Sequence, residues 1–207
     1  MRFKIVKSWL YICTTSFLKY TIVCYKLRLI YPMFSDPIKN IEQFNLNPGT
    51  IVADLGSGSG FYALAAAKIV GDTGKVYAVD IQKELLSKLK NDATKAKLFN
   101  IEIVWGDIEK ENGTRLAVGA VGAVIVSNIF FQVKHKDIFI REVSRILKPQ
   151  GRVLFIDWSE SFGGLGPQPQ DVFPQTKAEE MWTGAGFVKE KTISAGAHHY
   201  GILFSKQ

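Results

Sequence analysis

The sequence predicts an α/β fold in which a mostly parallel sheet is covered by helices. Three observations carry this reading. From Met33 onward, short β-branched runs alternate with longer helical segments. A glycine-rich turn, Gly56-Ser57-Gly58-Ser59-Gly60, joins the first of these runs to the first long helix. The last two runs are separated by too few residues for a crossover, so they must run antiparallel.

The elements follow in order. Pro37 to Phe44 reads as a short opening helix with Asp36 as its N-cap and Pro37 at its first position. Asn47-Pro48-Gly49 is a turn, and the first strand is Thr50 to Leu55. After the glycine-rich turn, a helix from Phe61 to Val70 stops at Gly71. Lys75 to Asp80 is the second strand, Lys83 to Lys97 its helix, and Ile101 to Trp105 the third strand, before Gly106-Asp107. Val121 to Ser127 is the fourth strand. Ile138, Ile140, Val143, Ile146 and Leu147 mark a helix from about Asp137 to Leu147, which Pro149-Gln150-Gly151 ends. Arg152 to Asp157 follows as the fifth strand. A loop rich in Gly and Pro runs from Ser159 to Pro174, then a helix from Thr176 to Ala185 and two final strands, Phe187 to Ser194 and Tyr200 to Ser205.

The 207 residues suit one domain with a sizeable core. The formal net charge of +7 looks like that of a protein built to meet nucleic acid or an anionic membrane. Its location says otherwise. Arg2, Lys4, Lys7, Lys19, Lys26 and Arg28 lie in residues 1–32, which contain no acid, so the stretch from Met33 is close to neutral. Both cysteines, Cys13 and Cys24, also fall in that segment. Residues 33–207 therefore have no cysteine-based metal or redox site, no metal ligation is expected, and a reducing cytoplasm suits them.

Residues 1–32 read as a basic, hydrophobic extension, with Met33 as a candidate start for the remainder. The uncharged run Ser8 to Leu18 is shorter than the roughly 20 apolar residues a membrane span requires. No small-residue cleavage site follows it convincingly. Lys4, Lys7, Lys19 and Lys26 share a sector of a helical wheel, so peripheral attachment to a membrane surface is an alternative for this segment.

The chemistry concentrates in Asp54-Leu55-Gly56-Ser57-Gly58-Ser59-Gly60. Phe61 stands where a dinucleotide fingerprint would place its third glycine. A carboxylate two residues before the first glycine would repel a pyrophosphate at this turn but hold a cationic amino group. Asp80 ends the second strand, where a carboxylate can accept from both ribose hydroxyls, and Asp107 ends the third, placed for an adenine amine. A ligand with a cationic amino end, a ribose and an adenine, and no phosphate, is S-adenosylmethionine.

These motifs resemble those of the class I S-adenosylmethionine-dependent methyltransferases along nearly all of Met33 to Gln207. The resemblance implies a Rossmann-like three-layer sandwich whose seven-stranded sheet has the order 3-2-1-4-5-7-6 with strand 7 antiparallel. It implies that Gly56 and Gly58 line the methionine moiety, within a cofactor-binding set that also includes Asp54, Ser57, Gly60 and Ile81. Asp80 would meet the ribose, Asp107 and Ile108 the adenine, and Ser127-Asn128 the floor below the sulfonium. Candidate bases are Asp157, ending the fifth strand, and His198 and His199, which begin the last strand at the same sheet edge. Trp158 and the loop after it are candidates for a roof over the acceptor.

The position after the fourth strand reads Ser127-Asn128-Ile129-Phe130, without the Asn/Asp-Pro-Pro-aromatic motif of amide and adenine nitrogen methyltransferases. Arsenite methyltransferases resemble the core but depend on several cysteines, absent from 33–207. The run Ser127 to Val133, followed by the helix and Leu147-Lys148-Pro149-Gln150-Gly151, looks most like the quinone and small-molecule methyltransferase group, which implies a small-molecule acceptor. Two alternatives stand beside it. Gly71 to Tyr77 resembles some transfer-RNA methyltransferases, so RNA or protein is one alternative acceptor, although the near-neutral body argues against a nucleic-acid footprint. The other is a cofactor-binding module without catalysis.

Overall fold

A computed structural model describes residues 35–164 and 166–207. The predicted extension 1–32 and the candidate start at Met33 lie outside these described residues. Asp36 caps α1 (Pro37–Phe44), its carboxylate accepting from the Ile38 and Lys39 amides at 3.0 and 3.4 Å. The chain then runs β1 (Ile51–Leu55), α2 (Phe61–Val70), β2 (Lys75–Asp80), α3 (Lys83–Lys95) and β3 (Ile101–Trp105). β4 (Val121–Ser127), α4 (Lys136–Ile146), β5 (Leu147–Trp158), α5 (Gln175–Gly184), β6 (Phe187–Ile193) and β7 (His199–Lys206) complete it. Short 3₁₀ turns at Phe130–Gln132 and Pro169–Asp171 punctuate the loops.

The sheet order is 3-2-1-4-5-7-6, parallel except for β7, which pairs antiparallel with both β5 and β6, as the family resemblance implies. Side chains alternate across it. Val52, Ala78, Ile125, Leu154 and Leu203 point to one face, where they pack with Ile41 and Phe44 of α1, the alanines of α2 and Leu89 of α3. Their neighbours Ala53, Val79, Val124, Phe155 and Phe204 point to the other, against Phe139 of α4 and Trp182 of α5. The Trp182 indole is the hub of that layer, stacked on Phe204 at 5.4 Å and edge-on to Phe187 and Phe155 at 5.0 and 5.5 Å. Among the described residues, no helix is long and apolar enough to cross a membrane.

The structure corrects the predicted start of β5. The sequence places Leu147 in the preceding helix and a turn at Pro149, whereas Leu147 already pairs with Val121 and the register then shifts before Arg152 pairs with Ala123. Lys148 to Gly151 form a bulge in which Gln150 takes a left-handed φ of 60°. The helix before β3 ends at Lys95, two residues short of expectation, and Lys97 turns the chain with φ 56°.

Gly60 begins α2 with φ +83°, and a Cβ there would overlap the Leu89 side chain of α3. Both effects forbid a side chain. Gly60→Ala is expected to destabilise the protein by about 2 kcal/mol, a fall in Tm of roughly 4–8 °C. Gly184→Ala, where a Cβ meets nothing within 4 Å, should leave Tm within roughly 2 °C in the same melting experiment.

Candidate functional site

The first and second strands end side by side, with Leu55 opposite Val79, and the chain leaves β1 by folding over its neighbour. The Gly56 and Ser57 amides both donate to the Val79 carbonyl, at 2.8 and 3.0 Å. Gly56, Gly58 and Gly60 all have positive φ, which gives the turn its tight path. A Cβ on Gly56 would overlap the Ile129 side chain, so the loop after β4 seats directly on the glycine turn.

Asp80 fastens this turn. One carboxylate oxygen accepts the Gly58 amide at 2.8 Å, and the other accepts the Gln82 amide at 2.8 Å. Each oxygen keeps a further lone pair, enough to accept from a ribose diol. Asp107 holds its own turn through the Glu109 amide at 3.1 Å and pairs with Lys110 at 3.1 Å.

Around these residues lies a two-lobed cleft at the carboxyl ends of β1, β2, β3 and β4. One lobe, of about 210 Å³, is lined by Asp80, Ile81, Asp107 and Ile108, together with Gln82 and Val133. The other, of about 320 Å³, is lined by Ser57, Gly58, Asn128 and Ser127, together with Tyr62 and Ser35. Gly56, Asp80, Gln82, Ile129 and Gln132 belong to both. The structure thus brings Gly56, Ser57, Gly58, Asp80, Ile81, Asp107, Ile108 and Asn128 together. Asp54 lies beneath them, fully buried, and Gly60 serves the turn from below.

The second lobe has unmet hydrogen-bonding capacity. Asp54 Oδ2, Ser57 Oγ, Ser127 Oγ and Asn128 Oδ1 are all buried without a protein partner. Such groups are costly unless a ligand completes them. Burial is the main cause that lifts the Asp54 carboxyl to about 7; the Asp80 charge adds to it and the Ala63 amide opposes it. The Asn128 amide oxygen on the second lobe and the Asp54 carboxylate beneath it suit an ammonium, and Asp80 and Asp107 on the first lobe suit ribose and adenine. The residues present therefore fit S-adenosylmethionine.

The three candidate bases lie at the same sheet edge but are not among the walls of either lobe. Asp157 is fully buried and spends its oxygens on the Phe131 and Trp158 amides, at 2.8 and 2.9 Å. Burial raises its carboxyl to about 7, against the pull of both amides and of Lys136. His198 faces Glu160 at 2.7 Å and stacks on Phe162 at 3.8 Å. His199 lies 4.3 Å from the Trp158 ring, and burial, then the neighbouring His198, lowers it to about 4. Trp158 itself is wedged between His199 and Gly166, where a Cβ would overlap its ring.

Sequence reasoning missed Ser35, Tyr62, Gln82, Ile129 and Gln132 as walls. Gln82 alone had a signal, two residues after the ribose acid. The rest are ordinary residue types made significant by packing.

Residues 46–193 match the family described as a methyltransferase domain. An arsenite methyltransferase of Halobacterium salinarum is 34% identical over 60% of this chain and 30% of its own length. The ubiquinone/menaquinone biosynthesis C-methyltransferase UbiE of Paraburkholderia xenovorans is 31% identical over 77% of this chain and 61% of its own. The chain thus spans less than two thirds of the length of either relative. The crystal structure of a SAM-dependent methyltransferase from Aquifex aeolicus superposes with a TM-score of 0.77 at 27% identity, covering 84% of this chain and 92% of that one. The chain belongs to the methyltransferase-domain family, and its cofactor is S-adenosylmethionine.

Proposed function

We propose that the protein transfers a methyl group from S-adenosylmethionine to a small-molecule acceptor by in-line displacement. The observation that carries this reading is the two-lobed cleft, with acids in the nucleoside lobe, three unpartnered buried polar atoms (Ser57 Oγ, Ser127 Oγ and Asn128 Oδ1) on residues lining the other, and the unpartnered Asp54 Oδ2 beneath it. When bound, the cofactor supplies a methyl group already activated on a sulfonium. The chain's own task is then to align, desolvate and orient. Asp80 fixes the ribose, Asp54 offers its charge to the amino group, and Gly56 and Gly58 let the backbone come close. Asn128, with φ 56° and its amide held by the Ile156 carbonyl at 2.9 Å, sets the floor of the second lobe.

The quinone methyltransferase among the relatives supports a small organic acceptor. Arsenite suits less well, because soft centres favour thiolate ligands and the only cysteines, Cys13 and Cys24, precede the described fold. Asp157, His198 and His199 act in this reading by shaping the edge beside the cleft. Asp157 holds the turn that carries Gln132, and the two imidazoles pack the end of β5. We also place the working unit in residues 33–207, with 1–32 outside it.

Incubating the full chain with methyl-labelled S-adenosylmethionine and a cell metabolite extract should move label into a small organic product. Binding of S-adenosylhomocysteine without label transfer to any of a broad set of acceptors would instead leave a cofactor-binding module. Asp80→Ala strips the Gly58 and Gln82 amides of their acceptor as well as the ribose of its partner. Calorimetry should show its affinity for S-adenosylhomocysteine reduced by about 100-fold.

The Asp54 carboxyl also sets a pH dependence. Its folded value near 7 is above the ordinary carboxylate value of 3.8, so the fold favours the neutral form. Its contribution to the stability of the ligand-free protein is greatest below 3.8 and is lost as pH rises towards 7. Cofactor binding has the opposite sign, since the ammonium needs the ionised form. S-adenosylhomocysteine affinity should rise by up to about tenfold per pH unit below 7 and level off above it. Titrations from pH 5.5 to 8.5 test this; a flat wild-type profile, or an unchanged slope in Asp54→Asn, would contradict it.

A further inference from the structure

The second lobe contains a hydrogen-bond donor that no cofactor-binding motif accounts for. Tyr62 on the first turn of α2 and Ser35 just ahead of α1 both line it, with their hydroxyl oxygens 2.7 Å apart. Asn40, 1% exposed on α1, donates through Nδ2 to both, at 2.8 Å each. A side-chain amide has two hydrogens, and these two contacts use them; the Ala195 carbonyl at 3.5 Å is a distant third. Each hydroxyl therefore receives a hydrogen and must place its own elsewhere. One hydrogen crosses the 2.7 Å contact. The other is left over.

The Ser127 hydroxyl borders the same lobe and neighbours the Tyr62 hydroxyl. Giving it the spare hydrogen only passes the surplus on, because Ser127 then has its own to place. α1 holds this arrangement in position. Gln43 exchanges hydrogen bonds with Ser194, at 2.9 and 3.2 Å, and Arg152 donates to the Phe44 carbonyl at 2.9 Å. The donor is thus set before any ligand arrives.

We propose that Tyr62 and Ser35, supplied with hydrogens by Asn40, form a donor site for a ligand oxygen in the second lobe. The oxygen belongs to a carboxylate, carbonyl or hydroxyl, and has two possible sources: the amino-acid end of the cofactor or the methyl acceptor. The site rests on the cofactor reading given above. It makes Tyr62 and Ser35 ligand-contacting residues and Asn40 a positioning residue that sets their polarity.

The test compares wild type with Tyr62→Phe/Ser35→Ala in the full chain, titrated with S-adenosylhomocysteine and with 5′-methylthioadenosine, which lacks the amino-acid end. An approximately tenfold loss for S-adenosylhomocysteine, with 5′-methylthioadenosine unchanged, supports the site and identifies the cofactor carboxylate. Unchanged affinity for both, with label transfer to the wild-type products reduced about tenfold, supports it and identifies an acceptor oxygen. Asn40→Asp should reproduce whichever loss is seen, because a carboxylate draws both hydroxyl hydrogens away from the lobe. Affinities and transfer all within twofold of wild type overturn the proposal. A parallel loss for both nucleosides also overturns it, since that marks a loosened cleft. If the double variant shows no melting transition, Tyr62→Phe alone is read by the same criteria. Failure of the wild type to bind S-adenosylhomocysteine removes the cofactor reading itself, and this site with it.

Discussion

The cleft depends on one buried carboxylate. Asp80 takes the Gly58 amide with one oxygen and the Gln82 amide with the other, so a single side chain fixes the glycine turn over β1 and the first residues after β2. A glycine-rich turn alone would have wide conformational freedom, since Gly56, Gly58 and Gly60 all adopt positive φ. Two charge-assisted bonds to backbone amides remove that freedom and partly neutralise a carboxylate that is 6% exposed. The same oxygens remain able to accept from a ribose. Structural and binding roles therefore cannot be separated at this residue.

The position of that carboxylate follows from topology. β1 lies between β2 and β4, so the connections from β1 and β4 leave the sheet in opposite directions and open a crevice at their carboxyl ends. Asp54 sits at the base of this crevice in a less favourable state than Asp80. Its Oδ2 has no protein partner, and burial holds its carboxyl near neutrality in pH terms. Ser57, Ser127 and Asn128 repeat the pattern nearby. A fold optimised for stability alone would fill such positions with apolar side chains. Here these four unmet polar atoms gather where a cationic amino group would complete them; Trp182 Nε1 and the two His199 nitrogens are unmet elsewhere.

Much of this was legible in the sequence because it depends on residue type at a strand end. Asp54, Asp80 and Asp107 each lie at, or within two residues of, the end of a recognisable strand, and the spacing of the glycines distinguishes the turn from a pyrophosphate loop. The antiparallel end of the sheet followed from the few residues between β6 and β7. What was not legible depends on chain segments meeting at a distance. Tyr62 reads as one aromatic on a helix until α1 places Ser35 and Asn40 against its hydroxyl. Ile129 reads as another apolar residue until Gly56 proves to have no room for a Cβ beside it. The early start of β5 is hidden for a different reason. Leu147 continues the helical period of α4, and only its partner Val121 in the sheet draws it into a strand.

The same logic separates being at the right edge from being at the site. Antiparallel β7 does bring His198 and His199 to the carboxyl ends of the parallel strands, but β5 and β4 intervene between β7 and the glycine turn. At about 4.8 Å per strand, the imidazoles lie well to the side of the cleft, and they are used there: His198 by Glu160 and Phe162, His199 by Trp158. Asp157 is one strand nearer, yet the Phe131 and Trp158 amides occupy its oxygens. Its influence on the cleft passes through the turn at Phe130–Gln132, whose last residue borders both lobes. Reaction with a sulfonium calls first for alignment and exclusion of water. A carboxylate that sets the position of a cleft wall meets that need without touching the reacting atoms.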